Sequence, residues 1–190
     1  MAEQAAERQT VCHPIAPVWN AGSRVLILGT MPSPKSREQG FYYAHPQNRF
    51  WRVMAALLGE PVPQGTQERR NFALRSGIAL WDVLASCEIC GAADSSIRNP
   101  VPNDIAALLA KTDIQAVFTT GAAAFRLYQK MCLPQTHLPA AALPSTSPAN
   151  CRMSFETLCS AYQIILPFLR GSEINREPVG PQPAAGGEDR

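Results

Sequence analysis

Residues 24–51 read Arg24-Val-Leu-Ile-Leu-Gly29-Thr-Met-Pro-Ser-Pro-Lys35-Ser-Arg-Glu-Gln-Gly40-Phe-Tyr-Tyr-Ala-His45-Pro-Gln-Asn48-Arg-Phe-Trp51, and the architecture of the chain follows from how they divide. Val25 to Leu28 is a short apolar, β-branched run with no polar alternation, as expected of a parallel strand covered on both faces. Gly29 ends it, and a Thr/Pro/Ser loop follows. Ligands of open α/β sheets bind outside the carboxyl ends of the strands, so the chemistry is expected at Gly29 to Ser36. A second polar and aromatic cluster, Tyr42 to Asn48, leads into a helix expected from about Pro46 to Leu58. Pro46 would take its first position, Gly59 would cap it, and Phe50, Trp51, Met54, Leu57 and Leu58 would share one face.

Further strands are expected at Ile78–Val83, Ala116–Thr120 and His137–Leu143. Helices are expected at Asp104–Lys111 (capped by Asn103), Ala122–Met131 and Phe155–Leu169, with a short one before Gly77. Ser86–Pro102 reads as a long polar loop. Strands alternating with helices point to an α/β fold: a single three-layer α/β/α domain over 13–170 with a central, mostly parallel four-stranded sheet. Residues 1–12 and 171–190 read as disordered tails, the latter rich in Pro, Gly and Glu.

Of 190 residues, 46% are hydrophobic and 17% charged, which fits a globular protein. No apolar run approaches the roughly 18 residues of a membrane span. The N-terminus lacks an apolar signal core, so the six cysteines are expected as reduced thiols in a cytoplasmic protein. The net charge of +2 hides an asymmetry: the two tails are acidic, while 13–170 holds 14 basic and 9 acidic residues. Lys35, Arg37, Arg49 and Arg52 flank the central loops, where positive charge suits a polyanion such as nucleic acid.

Gly29-Thr30-Met31-Pro32-Ser33-Pro34-Lys35-Ser36 departs from the phosphate-loop pattern G-x-x-x-x-G-K-S at one fixed position, Pro34. That departure is damaging, because proline offers no N–H to a phosphate and cannot adopt positive φ. Cys87-Glu88-Ile89-Cys90 has no partner ligands at metal-site spacing, so buried thiols are the better reading. In Tyr42 to Trp51, Asn48 would sit in the opening turn of a helix, where its carboxamide could orient a water or hold a base. Tyr42 and Tyr43 offer flat faces for stacking. Read as structure alone, His45 and Asn48 are capping residues and the aromatics are core. The loop Pro144-Ser145-Thr146-Ser147-Pro148-Ala149-Asn150 follows another strand. It reads either as a rigid grip on phosphates or as an ordinary Ser/Pro turn.

Together, Leu28-Gly29-Thr30-Met31-Pro32-Ser33 and Leu143-Pro144-Ser145-Thr146-Ser147-Pro148 resemble the two motifs of the uracil-DNA glycosylase superfamily. The Phe41-to-Trp51 run is similar to that of mismatch-specific glycosylases, and the nearest branch is the hypoxanthine-DNA (DNA-deoxyinosine) glycosylases. Leu80-Trp81-Asp82-Val83-Leu84 and Asp94-Ser95-Ser96-Ile97 fall within the resemblance. Two departures stand out: Met31 replaces the Asp or Asn of uracil-excising members, and Leu143 replaces a frequent His.

The resemblance implies a monofunctional glycosylase acting on a deaminated base in double-stranded DNA, with Asn48 catalytic and no cofactor or metal. It implies base contacts from Gly29, Thr30, Met31, Pro32, Ser33, Tyr43 and His45. DNA contacts are expected from Lys35, Ser36, Arg37, Arg49, Pro144, Ser145, Thr146, Ser147, Pro148 and Asn150, in a monomer without membrane association. Excision of uracil or mispaired thymine, and damage binding without catalysis, remain alternatives at this stage.

Overall fold

The computed structural model describes residues 8–169. In chain order the strands are β1 (Arg8–Cys12), β2 (Val25–Gly29), β3 (Ile78–Asp82), β4 (Leu84–Cys90), β5 (Arg98–Pro102), β6 (Ala116–Thr120) and β7 (Ala140–Leu143). The helices are α1 (Pro34–Gln39), α2 (Phe50–Leu58), α3 (Gly65–Arg75), α4 (Ile105–Leu109), α5 (Ala122–Met131), α6 (Leu133–Thr136), α7 (Phe155–Tyr162) and α8 (Leu166–Leu169).

Four strands form a parallel sheet in the order β3-β2-β6-β7. Every residue of β2 is buried, and alternate side chains leave by opposite faces. Val25 and Ile27 join the cluster built with Phe50, Met54, Phe72 and Leu158, so α2, α3 and α7 cover that face. Leu26 and Leu28 join Ile105, Ala124 and Tyr128, so α4 and α5 cover the other. The three layers therefore follow from one unbroken apolar strand, as the sequence implies.

Residues 8–12 depart from the expected tail, because β1 pairs antiparallel with β4 from Arg8↔Cys90 to Cys12↔Ser86. The expected loop 86–102 also departs, since it contains most of β4 and all of β5, giving a second sheet ordered β1-β4-β5. Only one face of this sheet is buried, through Val11, Leu84, Cys87 and Ile89, so its strands read as polar. Pro100 and Pro102 are tolerated because β5 is an edge strand. Residues 1–7 and 170–190 lie outside the described residues.

The helices depart from expectation as well. α2 begins at Phe50 rather than near Pro46, because residues 45–48 turn on the bond from Asn48 N–H to His45 O (2.8 Å). α1 is a helix where none was expected, capped by Ser33 and closed by Gly40 at φ 64°. The last expected helix breaks into α7, a 3₁₀ turn over Gln163–Ile165 and α8, since Pro167 has no N–H for the helical ladder. At α4 the cap is Asp104, whose side chain accepts from Ala107 N–H at 2.9 Å. The displaced Asn103 donates instead to the carbonyls of Asp82 (2.9 Å) and Leu84 (3.0 Å).

Candidate active site

A cleft of about 630 Å³ opens at the carboxyl ends of β2, β3 and β6, and both expected loops line it. The first loop is held from within. Thr30 Oγ1 donates to Asp94 Oδ2 at 2.9 Å, and Arg37 donates to the Pro32 carbonyl at 2.8 Å. Ser33 Oγ accepts from Ser36 N–H at 3.2 Å, and Ser36 is itself buried. Lys35 reaches the cleft but pairs with Glu38 at 2.8 Å.

The aromatic run divides into two roles. Tyr42 is buried and its hydroxyl donates to the carbonyls of Ile15 and Ala16, so this ring belongs to the core and is not a stacking platform. Tyr43 lines the cleft with backbone φ 52°, a strained value for a bulky residue and of a kind found at functional sites. Phe50 stacks behind its ring at 3.8 Å between centroids, and its hydroxyl sits 3.3 Å from Thr120 Oγ1. Burial first, then the charge of Asp82, pushes the Tyr43 phenol well above its ordinary pKa, so it stays a donor.

Asn48 lies before the first turn of α2, and its oxygen is doubly engaged. Phe50 N–H donates to Oδ1 at 3.0 Å, and Thr146 Oγ1 donates to the same atom at 2.8 Å. A backbone N–H can only donate, so the facing atom must be oxygen and the amide orientation is fixed. The –NH₂ group, with no protein partner among the described residues, is left for the cleft that Asn48 lines. This arrangement can donate to an electron-rich atom, such as a departing base, but has little acceptor capacity left for a water proton.

The second loop is braced to the same place. Arg49 donates from its guanidinium to the carbonyls of Met153 (2.5 Å), Asn150 (2.8 Å) and Ser147 (3.4 Å), and from its backbone to Thr146 O (3.1 Å). Asn150 donates to Ser145 O at 2.8 Å, and Tyr162 to Pro144 O at 3.0 Å. Gly29, Thr30, Met31, Pro32, Ser33, Lys35, Ser36, Tyr43, His45, Asn48 and Ser145 through Pro148 thus meet at one cleft. Arg37, Arg49, Pro144 and Asn150 stand behind its walls rather than lining it.

Among the lining residues that received no role from the sequence are three polar ones at the sheet end, Asp82, Asp94 and Thr120. Asp82 ends β3 beside Gly29 in the sheet register and is only 5% exposed. Asp94 leans its carboxyl toward Thr30. Partial desolvation of this otherwise exposed residue, with the charge of Asp82 adding, raises the carboxyl's pKa against the opposing Thr30 bond. The signal available for both was their place in the resemblance, in Leu80-Trp81-Asp82 and Asp94-Ser95-Ser96. No group of three or more metal-ligating side chains occurs among the described residues, and no described helix is long and apolar enough to cross a membrane.

The family model of the uracil DNA glycosylase superfamily matches residues 16–177. Hypoxanthine DNA glycosylase of Methanosarcina barkeri (strain Fusaro / DSM 804) is 34% identical over 93 residues, covering 48% of this chain and 59% of that protein. Hypoxanthine DNA glycosylase of Methanosarcina acetivorans is 34% identical over 92 residues, covering 48% of this chain and 58% of its own length. The chain therefore spans under two thirds of these relatives. A solution NMR structure from Methanosarcina acetivorans, described as a candidate uracil DNA glycosylase, superposes with TM-score 0.68 at 26% identity, over 80% of this chain and 96% of that one.

Proposed function

The chain belongs to the uracil DNA glycosylase superfamily, and from that membership we propose that it is a monofunctional DNA glycosylase removing a deaminated base, hypoxanthine of deoxyinosine foremost. It acts on double-stranded DNA as a monomer, rotating the nucleotide out of the stack at a cost of a few kcal/mol, least where the base is mispaired. The free face of Tyr43, backed by Phe50, stacks on the extruded base. Loop residues Gly29 to Ser33 enclose it, and Lys35 with the Ser145–Pro148 loop meets the backbone.

The glycosidic bond breaks through an oxocarbenium-like state in which negative charge gathers on the leaving purine. Water then adds to C1′ and releases its proton to solvent, and the purine anion takes one up, leaving free base and an abasic site. Preorganised donors aimed where charge develops are the largest general source of rate in such sites. One observation carries the assignment: the Asn48 oxygen is locked by Phe50 and Thr146, so its –NH₂ is presented to the cleft. Met31, an apolar side chain in the first motif, can supply neither donor nor base. The names of the curated relatives favour hypoxanthine over uracil as the preferred base.

The test is cleavage of an inosine-containing duplex, read as alkali-labile strand breaks, for wild type and Asn48→Ala. Loss of one preorganised donor of this kind lowers the rate by about 10²–10³. Full-speed release of hypoxanthine by Asn48→Ala would falsify the assignment. Equal cleavage of uracil, xanthine and G:T substrates by wild type would instead broaden the substrate.

A further inference from the structure

We propose that Asp82, held in place by His13, reads the edge of the extruded base and is the group that separates a deaminated purine from adenine; this rests on the glycosylase reading above. Asp82 and His13 form a nearly buried pair, their side chains 7% and 3% exposed and joined by a 2.8 Å bond between Asp82 Oδ2 and His13 Nε2. The direction of that bond follows from the other side of the ring. Ile15 N–H points at His13 Nδ1 at 3.3 Å, so Nδ1 is the acceptor, and the ring proton sits on Nε2 and is donated to Asp82. The Asp82 main chain is pinned by Asn103, which donates to its carbonyl at 2.9 Å.

The second carboxylate oxygen, Oδ1, has no hydrogen-bond partner among the described residues and borders the cleft. It lies against the bare Cα of Gly29, where any Cβ would collide with it. Oδ1 is open to the cleft, so a base that fills the cleft and displaces solvent must bring it a donor or leave a nearly buried acceptor unpaired. The sugar of an extruded nucleotide stays tied to the strand at the mouth, so a group at the floor meets the part of the base farthest from the glycosidic bond.

At that edge, hypoxanthine carries N1–H, whereas adenine carries a bare N1 lone pair. Uracil and cytosine differ in the same way at N3. Deamination therefore turns an acceptor into a donor at the atom facing Asp82. A carboxylate, which can only accept, pairs with the first and repels the second.

The same geometry makes Asp82→Asn an inverting substitution. His13 Nε2–H still requires an oxygen partner, so the new –NH₂ must face the cleft and donate. Single-turnover cleavage of an inosine duplex should then fall, while that of a duplex carrying unsubstituted purine, whose N1 is a lone pair, should not. The inosine-to-purine rate ratio should drop by about 100-fold or more, since sites built around one hydrogen bond discriminate at least this strongly. As a positioning residue, His13 should lower the ratio when changed to Ala, and His13→Gln, whose amide can replace the donated proton, should restore it.

A ratio held within about threefold in Asp82→Asn, measured against that expected discrimination, overturns the proposal while leaving the glycosylase reading intact. Should the variant not fold, wild type on a 1-methylinosine duplex provides the same decision: refusal supports Asp82, and cleavage at the inosine rate overturns it. Wild type that cleaves no inosine, xanthine or uracil duplex overturns the glycosylase reading, and this proposal with it.

Discussion

At Asn48 the direction of one hydrogen bond limits what the side chain can do. Phe50 N–H and Thr146 Oγ1 both donate to its oxygen, and the amide nitrogen is the atom left over. The expected place in the first helical turn is replaced by one before it, where Phe50 N–H selects the oxygen and Thr146 holds the amide in place. Thr146 is 1% exposed, so under the proposed mechanism its hydroxyl acts through its bond to Asn48 rather than by meeting DNA itself. Thr146→Val keeps its shape and removes the O–H. Cleavage of inosine duplex should fall roughly tenfold with unchanged DNA affinity, and stability should fall by about 1 kcal/mol for the lost bond. Single-turnover kinetics beside a urea titration checks both, and an unaltered rate would show that Thr146 is not what aims the amide.

Among the elements, β1 has the widest consequences. Its five residues pair with β4, whose other edge pairs with β5, and its Val11 faces the core. The chain then leads directly into His13, which reaches Asp82. Removing residues 1–12 strips a whole strand ladder and one buried side chain, a loss of roughly 2 kcal/mol. A chemical denaturation midpoint equal to that of the full chain, as for a free tail, would contradict this. The truncated protein should also cleave more slowly, because the approach of His13 to Asp82 loses its anchor.

On the scale of the whole molecule, the positive charge that the sequence places around the cleft is largely turned inward. Arg49 is engaged by three carbonyls, Arg37 by one, and Lys35 shares its charge with Glu38. Arg52 lies over the Phe155 ring, so few of the cations flanking the central loops are free at the cleft to displace counterions. Each neutralised phosphate contributes about −0.9 to the slope of log K against log salt, so a shallow slope of about −2 to −3 is expected for duplex binding. Fluorescence anisotropy from low to physiological salt measures it. A slope steeper than about −5 would require a basic surface that this account does not contain.

What the sequence determined by itself is whatever depends on neighbours along the chain. The unbroken Val25–Leu28 run dictates a strand covered on both faces, and hence a parallel layered sheet with its loops at one end. The two loop motifs and the Phe41-to-Trp51 run single out the loop hydroxyls and Asn48 as site candidates. Tertiary structure alone brought Asn48 to the cleft and braced its oxygen against Thr146, a partner 98 residues away. It alone joined His13 to Asp82 across 69 residues, and it drew β1, β4 and β5 into a second sheet whose polar face hides its strands from inspection. The physical reason is the same in each case: a hydrogen bond or strand pairing between distant segments leaves no periodicity in either one, and acquires direction only when folding brings donor and acceptor together.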